Sequence, residues 1–243
     1  MRLNPAWEFW LWTDDDNRQI VAEHYPFFLN DFDGYNQKMK QIDAVRFFYL
    51  HRHGGIYMDL DFTCLRPFED IGLAPREAIF SHQYNAAMIN ASLGKQAPGV
   101  AGTIANNIIM APAGHPFLAY SMRKLHSSMN RSLLHATGPN FLSKVIYEYR
   151  DNVRAASNPR GLVDAHVTVH HMPKVYATGY RGRNKCGTGL SSELEHCRNT
   201  TSAVLATFWT MTWKYVPPPP PPLPPPSSVA VAAVVSGRLL PRT

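Results

Sequence analysis

The chain has 243 residues, 45% hydrophobic and 12% aromatic, with a net charge of +6 at pH 7. That composition supports one ordinary domain with a sizeable core, or one domain and a tail. The basic residues are scattered, which argues against a nucleic-acid groove, three cysteines exclude a disulfide framework, and neither a signal peptide nor an 18-residue apolar run is present.

Residues 7–12, Trp-Glu-Phe-Trp-Leu-Trp, predict an aromatic-rich strand. Thr13 or Asp14 can cap the helix that follows, with Asp15 and Asp16 in its first turn. These acids read as helix capping rather than metal binding. Pro26 ends the helix, and residues 27–35 read as a loop with buried aromatics. Residues 37–53 predict the best helix of the chain, with Met39, Ile42, Val45 and Tyr49 at helical spacing. Asp43 and Arg46 are three apart, so they share a face. They form either a surface ion pair or the wall of a cleft, where Asp43 binds sugar hydroxyls and Arg46 a phosphate or carboxylate.

Gly54 and Gly55 suit a helix stop. Ile56, Tyr57 and Met58 predict a short buried strand that ends at Asp59 and Asp61. In an extended chain those carboxylates point to one side. Taken alone the pair reads as a solvated loop; otherwise two oxygen ligands so placed can share Mg²⁺ or Mn²⁺, with room left for a substrate phosphate, or divide the work between cation and substrate hydroxyls.

Residues 78–81 predict another strand, and residues 84–102 a mobile excursion. Residues 103–111 read as a strand with Asn106 and Asn107 in its middle, either satisfied turn residues or ligand contacts. Helices are expected over 117–129 and 141–149, and a strand over 163–169 before His170 and His171, read as packing or surface residues. Residues 178–202 should be a long loop, and residues 207–213 close the folded part. Cys186 and Cys197 either pair in an oxidising compartment, leaving Cys64 over, or stay free. Nine of the 20 prolines lie in residues 217–226, so residues 216–243 are expected to be a disordered tail, extended through its proline run, behind a domain of residues 1–215.

Several stretches together resemble the DXD-motif glycosyltransferases of the family that includes Och1-type mannosyltransferases and mannosyl-inositol-phosphorylceramide synthase catalytic subunits (glycosyltransferase family 32-like). They are Leu11-Trp12-Thr13-Asp14, residues 42–50, residues 54–61, Leu65-Arg66-Pro67, Asn107, Gly114-His115-Pro116-Phe117 and Thr137-Gly138-Pro139. The resemblance covers residues 7–150 well and 151–215 loosely. It implies an α/β, GT-A-like nucleotide-sugar-binding sandwich and a retaining hexose transfer with Mn²⁺ or Mg²⁺. Asp43, Arg46, Tyr57, Asp59, Asp61 and Asn107 would bind the donor, with Asp59 and Asp61 at the metal. The donor implied is GDP-mannose or a UDP-sugar, and the acceptor a glycan or glycolipid. The place implied is the Golgi or another endomembrane lumen, with membrane association through a partner or a segment outside this chain. No catalytic nucleophile is assigned, because a front-face route needs none.

The chain departs from the family pattern twice. The usual opening strand, Ile-Pro-Lys-Ile-Ile-His-Gln-x-Trp, is missing, so the expected sandwich lacks its first strand. Thr207-Phe208-Trp209 stands where a metal-completing His is often found. A truncated or degenerate sugar-nucleotide-binding remnant is therefore the alternative. Asp59-Leu60-Asp61-Phe62-Thr63 also fits the Asp-x-Asp-x-Thr of haloacid-dehalogenase-like phosphatases. That class needs a later acidic pair, and the acids after Asp70 lack its spacing.

Overall fold

Thr13 starts the first helix. The structure, a computed structural model, describes residues 3–72, 76–82, 103–156, 167–170, 176–178, 195, 197–199, 203–207 and 232–237. Strand β1 (Trp7–Trp12) passes directly into α1 (Asp14–His24). The Asp16 N–H donates to Thr13 Oγ1 at 3.3 Å, and the Thr13 N–H donates to Asp16 Oδ2 at 2.7 Å. The acids at residues 14–16 thus serve capping and the helix dipole, as expected.

Residues 26–33 differ from the expected loop. They form a 3₁₀ turn (Pro26–Phe28) and a short helix, α2 (Leu29–Asp33). Phe28 and Phe32, four apart, are both 1% exposed, and that helical spacing is what buries them together.

Helix α3 (Lys38–His53) is the centre of the molecule. Every residue from Ile42 to Leu50 is buried, so Asp43 and Arg46 are not a surface pair. Gly54 ends the helix at φ +70°, and a Cβ there would sit 2.6 Å from the Ala113 nitrogen. Only glycine gives both the left-handed turn and that close approach.

Strand β2 (Gly55–Met58) follows, then β3 (Phe62–Cys64), β4 (Ala78–Ser81) and β5 (Ile108–Ala111). Helices α4 (Pro116–Leu125), α5 (Leu133–Ala136) and α6 (Pro139–Ala156) come next. The last strands are β6 (Val167–His170), β7 (Tyr176–Thr178), β8 (Leu205–Thr207) and β9 (Ala232–Gly237). A six-stranded sheet runs β1-β9-β2-β5-β4-β6, and a three-stranded sheet β3-β8-β7.

Side chains alternate across the main sheet with a period of two. Tyr57, Phe80 and Ile109 face the core shared with α1, α3, α4 and α6. Ile56, Met58, Ile79, Ile108 and Met110 face a second core with Phe68, Val204 and Leu205, where β3 and β8 lie. The chain is therefore a layered α/β structure, as expected from its sequence.

Three expectations change. Residues 59–61 form a turn that leaves the main sheet for the small one, so strand alternation does not set the direction of Asp59 and Asp61. Asn106 and Asn107 lie just before β5 rather than inside a strand. Within the expected disordered tail, residues 232–237 form β9, which pairs antiparallel with β1 from Trp7↔Gly237 to Trp12↔Ala232 and with β2 from Ile56↔Val235 to Met58↔Ala233. Its Ala-Ala-Val-Val start supplies the β-branched residues that a strand favours. The proline run of 217–226, the 84–102 excursion and His171 lie outside the described residues. Cys197 is disulfide-bonded and Cys64 is free.

Candidate active site

The site forms where β2 ends against the middle of α3. Gly54 turns the chain back, so β2 runs beside the helix and brings Asp59 opposite Arg46. Arg46 is 3% exposed and lies within reach of two carboxylates through Nη2: Asp43 Oδ1 at 2.7 Å and Asp59 Oδ1 at 3.5 Å. Its Nη1 donates to the Asn106 carbonyl, and its Nε to the Ile42 carbonyl at 3.4 Å. The guanidinium lies 4.5 Å from the Tyr57 ring centroid, a cation–π contact in a dry setting. The Tyr57 hydroxyl donates to Asp59 Oδ1 at 2.9 Å.

Two further side chains hold Asp43 besides Arg46. Asn106 Nδ2 donates to its Oδ1 at 3.0 Å, and Thr137 Oγ1 donates to its Oδ2 at 3.5 Å. Gly138 leaves the space beside Oδ2 clear, since a Cβ there would come within 3.4 Å of it. The Asp59 N–H donates to the Asn107 carbonyl at 2.9 Å. The Asn107 side-chain oxygen is buried with no hydrogen-bond partner among the described residues.

The charges follow from this packing. Burial pushes the Asp43 carboxyl up, while Arg46, Asn106 and Thr137 pull it back. Burial likewise pushes Asp59 up to about 6, against Arg46 and the Tyr57 hydroxyl, with Asp43 and Asp61 adding to the rise. Burial opposes the charge on Arg46, but Tyr57, Asp43 and Asp59 outweigh it and its pKa is raised. One cation thus serves two carboxylates, so Asp43, Arg46 and ionised Asp59 together carry one negative charge.

Asp43, Arg46, Tyr57, Asp59 and Asn107 therefore meet in one place, with Asp61 two residues from Asp59. Arg46 and Tyr57 are enclosed, and both reach the acids. Asn106 was not singled out from the sequence ahead of its neighbour. It is 8% exposed and supplies the side chain that ties β5's approach to Asp43. The doubled asparagine before an apolar run was its signal. Thr137 was legible only as part of Thr-Gly-Pro.

Among the described residues, no group of three or more His, Cys, Asp or Glu gathers around one point. Asp59 and Asp61 nevertheless suit Mg²⁺ or Mn²⁺. Mg²⁺ is commonly held by one or two carboxylates, with substrate phosphates and water completing its shell, and both ions favour oxygen ligands.

Residues 1–78 match the family described as "Glycosyltransferase sugar-binding region containing DXD motif". That stretch includes Asp43, Arg46, Asp59 and Asp61. The chain is 32% identical over 154 residues to Inositol phosphoceramide mannosyltransferase 3 of Schizosaccharomyces pombe, covering 61% of this chain and 38% of that protein. It is 29% identical over 155 residues to Mannosyl phosphorylinositol ceramide synthase SUR1 of Saccharomyces cerevisiae, covering 61% and 36%. The chain spans a little over a third of the length of these relatives. The solved structure of PaToxG Glycosyltransferase is similar with a TM-score of 0.38 and 17% identity, over 56% of this chain and 44% of that one.

Proposed function

We propose that residues 1–215, completed by β9, form the GT-A-like donor domain of a metal-dependent, retaining glycosyltransferase. It moves a hexose, mannose first, from GDP-mannose or a UDP-sugar to an inositol-phosphoceramide or glycan acceptor. The observation that carries this reading is the buried Asp43–Arg46 pair, which reaches the partly exposed Asp59 at the end of β2. An ion pair enclosed at this cost needs a reason to be kept. Holding one carboxylate for sugar hydroxyls and another beside a diphosphate is such a reason. The phosphatase pattern gives no role to Asp43, and the family match lies over the same residues.

In this reading Asp43 accepts hydroxyls of the donor sugar. Arg46 and Tyr57 position Asp43 and Asp59, and Asn107 offers its side-chain oxygen. Asp59 and Asp61 hold the Mg²⁺ or Mn²⁺. When bound, that ion neutralises the leaving diphosphate as a Lewis acid. The proposed location is the Golgi or another endomembrane lumen, and the disulfide at Cys197 fits an oxidising compartment. Among the described residues no helix is long and apolar enough to cross a membrane.

A donor-binding remnant without turnover is the second reading, favoured by Thr207-Phe208-Trp209 standing where a metal-completing His is often found. The two separate on one assay. The full chain is given Mn²⁺ with GDP-mannose and a UDP-sugar panel, with and without an inositol phospholipid acceptor, and release of nucleotide diphosphate is followed. Metal-dependent release supports the transferase, and tight donor binding without release supports the remnant.

A further inference from the structure

Three parts of the chain converge at the Asp43 end of the site: residues 34–35, the first half of α3, and residues 129–138. Lys40 Nζ donates to the Met129 carbonyl at 3.0 Å. A Cβ on Gly34 would stand 3.5 Å from Met129 Cε. One turn along α3, Asp43 meets Thr137 and the space beside Gly138. Tyr35 enters this region between α2 and α3, with its ring 6.3 Å from that of Phe28. It is 8% exposed, and its hydroxyl is buried with no hydrogen-bond partner among the described residues. Burial raises its pKa, and the charges of Asp31 and Asp43 add to the rise, so the phenol keeps its proton and remains a donor.

We infer that the Tyr35 hydroxyl and Asp43 Oδ2 together bind one hydroxyl of the donor hexose, which makes Tyr35 a specificity-determining residue. The inference rests on the sugar role proposed for Asp43. The two oxygens of Asp43 are unequally used. Oδ1 takes Arg46 at 2.7 Å and Asn106 at 3.0 Å, whereas Oδ2 has the Thr137 hydroxyl at the long distance of 3.5 Å. An ionised carboxylate oxygen accepts and a phenol O–H donates. A sugar hydroxyl satisfies both, giving its proton to Asp43 Oδ2 and accepting one from Tyr35. A buried hydroxyl without a partner costs the free fold stability. Phenylalanine at residue 35 would spare the fold that cost, and a polar ligand is what gives the hydroxyl a use.

The test compares the natural chain with Tyr35→Phe by calorimetric titration of GDP-mannose, a UDP-sugar panel, GDP and UDP, all with Mn²⁺. Affinity for the sugar nucleotide that the natural chain binds best should fall roughly tenfold, the worth of about one hydrogen bond. Affinity for the bare nucleotide should not change, and ligand-free thermal unfolding should stay where it is or rise. A loss confined to the sugar nucleotide supports the assignment. Equal sugar-nucleotide affinity in the variant, or a loss shared by the bare nucleotide, overturns it. Earlier unfolding with unchanged affinity also overturns it, because the hydroxyl then serves a buried water or a protein group. If the natural chain still releases nucleotide diphosphate from its donor in either case, the transferase reading stands and Tyr35 alone is struck. A natural chain that binds no sugar nucleotide more tightly than bare nucleotide overturns both.

Discussion

Asn106 reaches Asp43 Oδ1 through its Nδ2 at 3.0 Å, while its own carbonyl accepts from Arg46. One residue ahead of β5 thus grips both members of the buried pair on α3. Its neighbour Asn107 serves the other carboxylate, through a carbonyl that accepts the Asp59 N–H.

The two asparagines should therefore respond differently to truncation. Asn106→Ala leaves a buried carboxylate short of a donor, which should cost about 1–3 kcal/mol of stability. Donor affinity should fall roughly tenfold as Asp43 loses its orientation. Asn107→Ala keeps the carbonyl that holds Asp59, so unfolding should barely move while donor binding weakens. Urea melts and calorimetric titration with GDP-mannose and Mn²⁺ check both.

Arg46 cannot be replaced cheaply. Arg46→Met strands Asp43 in a buried place without its cation and leaves the partly exposed Asp59 beside it, and should destabilise the fold by about 3–5 kcal/mol. Adding Asp43→Asn should recover part of that loss, because the two residues are coupled. Additive losses in the double variant would mean that the pair does not act as a unit. Lysine is no substitute, since its point charge cannot serve Asp43, Asp59 and the Asn106 carbonyl from one plane.

Asp59 sets an acid limit on cation binding. Its carboxyl is pushed up to about 6, first by burial, above the roughly 3.9 of an unfolded chain. The folded state therefore holds this proton more tightly. The stability so gained is full below about pH 3.9 and is lost as pH rises through about 6. Cation binding runs the other way, since it needs the carboxylate. Mn²⁺-supported donor affinity should fall on going from about pH 7 to about pH 5, and Asp59→Asn should flatten that slope.

β9 should be indispensable to β1. Among the described residues β1 pairs in the main sheet only with β9, and β9 also pairs with β2. Proline inside a strand paired on both sides removes a ladder hydrogen bond whichever way its N–H points. Val234→Pro should therefore strip hydrogen-exchange protection from residues 7–12. Unchanged protection in Val234→Pro would place β1 outside the sheet.

Local chemistry made much of this legible in the sequence. The Thr13 cap, the helix before Gly54, the strand at residues 78–81 and the coming together of Asp43, Arg46 and Asp59 follow from spacing and from the family resemblance. What was not legible depends on distant packing. Aromatics in residues 26–33 could be read as loop fillers until the core showed Phe28 and Phe32 on one helical face. Asn106 looked equal to Asn107 because only the third dimension tells which side chain meets Asp43. The strand at 232–237 follows a proline run, and no local pattern shows that it pairs with β1 and β2.

The most direct test of the account is calorimetric titration of the full chain with GDP-mannose, with Mn²⁺ and with chelator, alongside Asp61→Ala and Asp43→Asn. The account predicts donor binding that needs Mn²⁺, loses that dependence in Asp61→Ala, and weakens in Asp43→Asn while bare GDP still binds. Donor binding indifferent to Mn²⁺ and to both substitutions, in protein that unfolds normally, would contradict it.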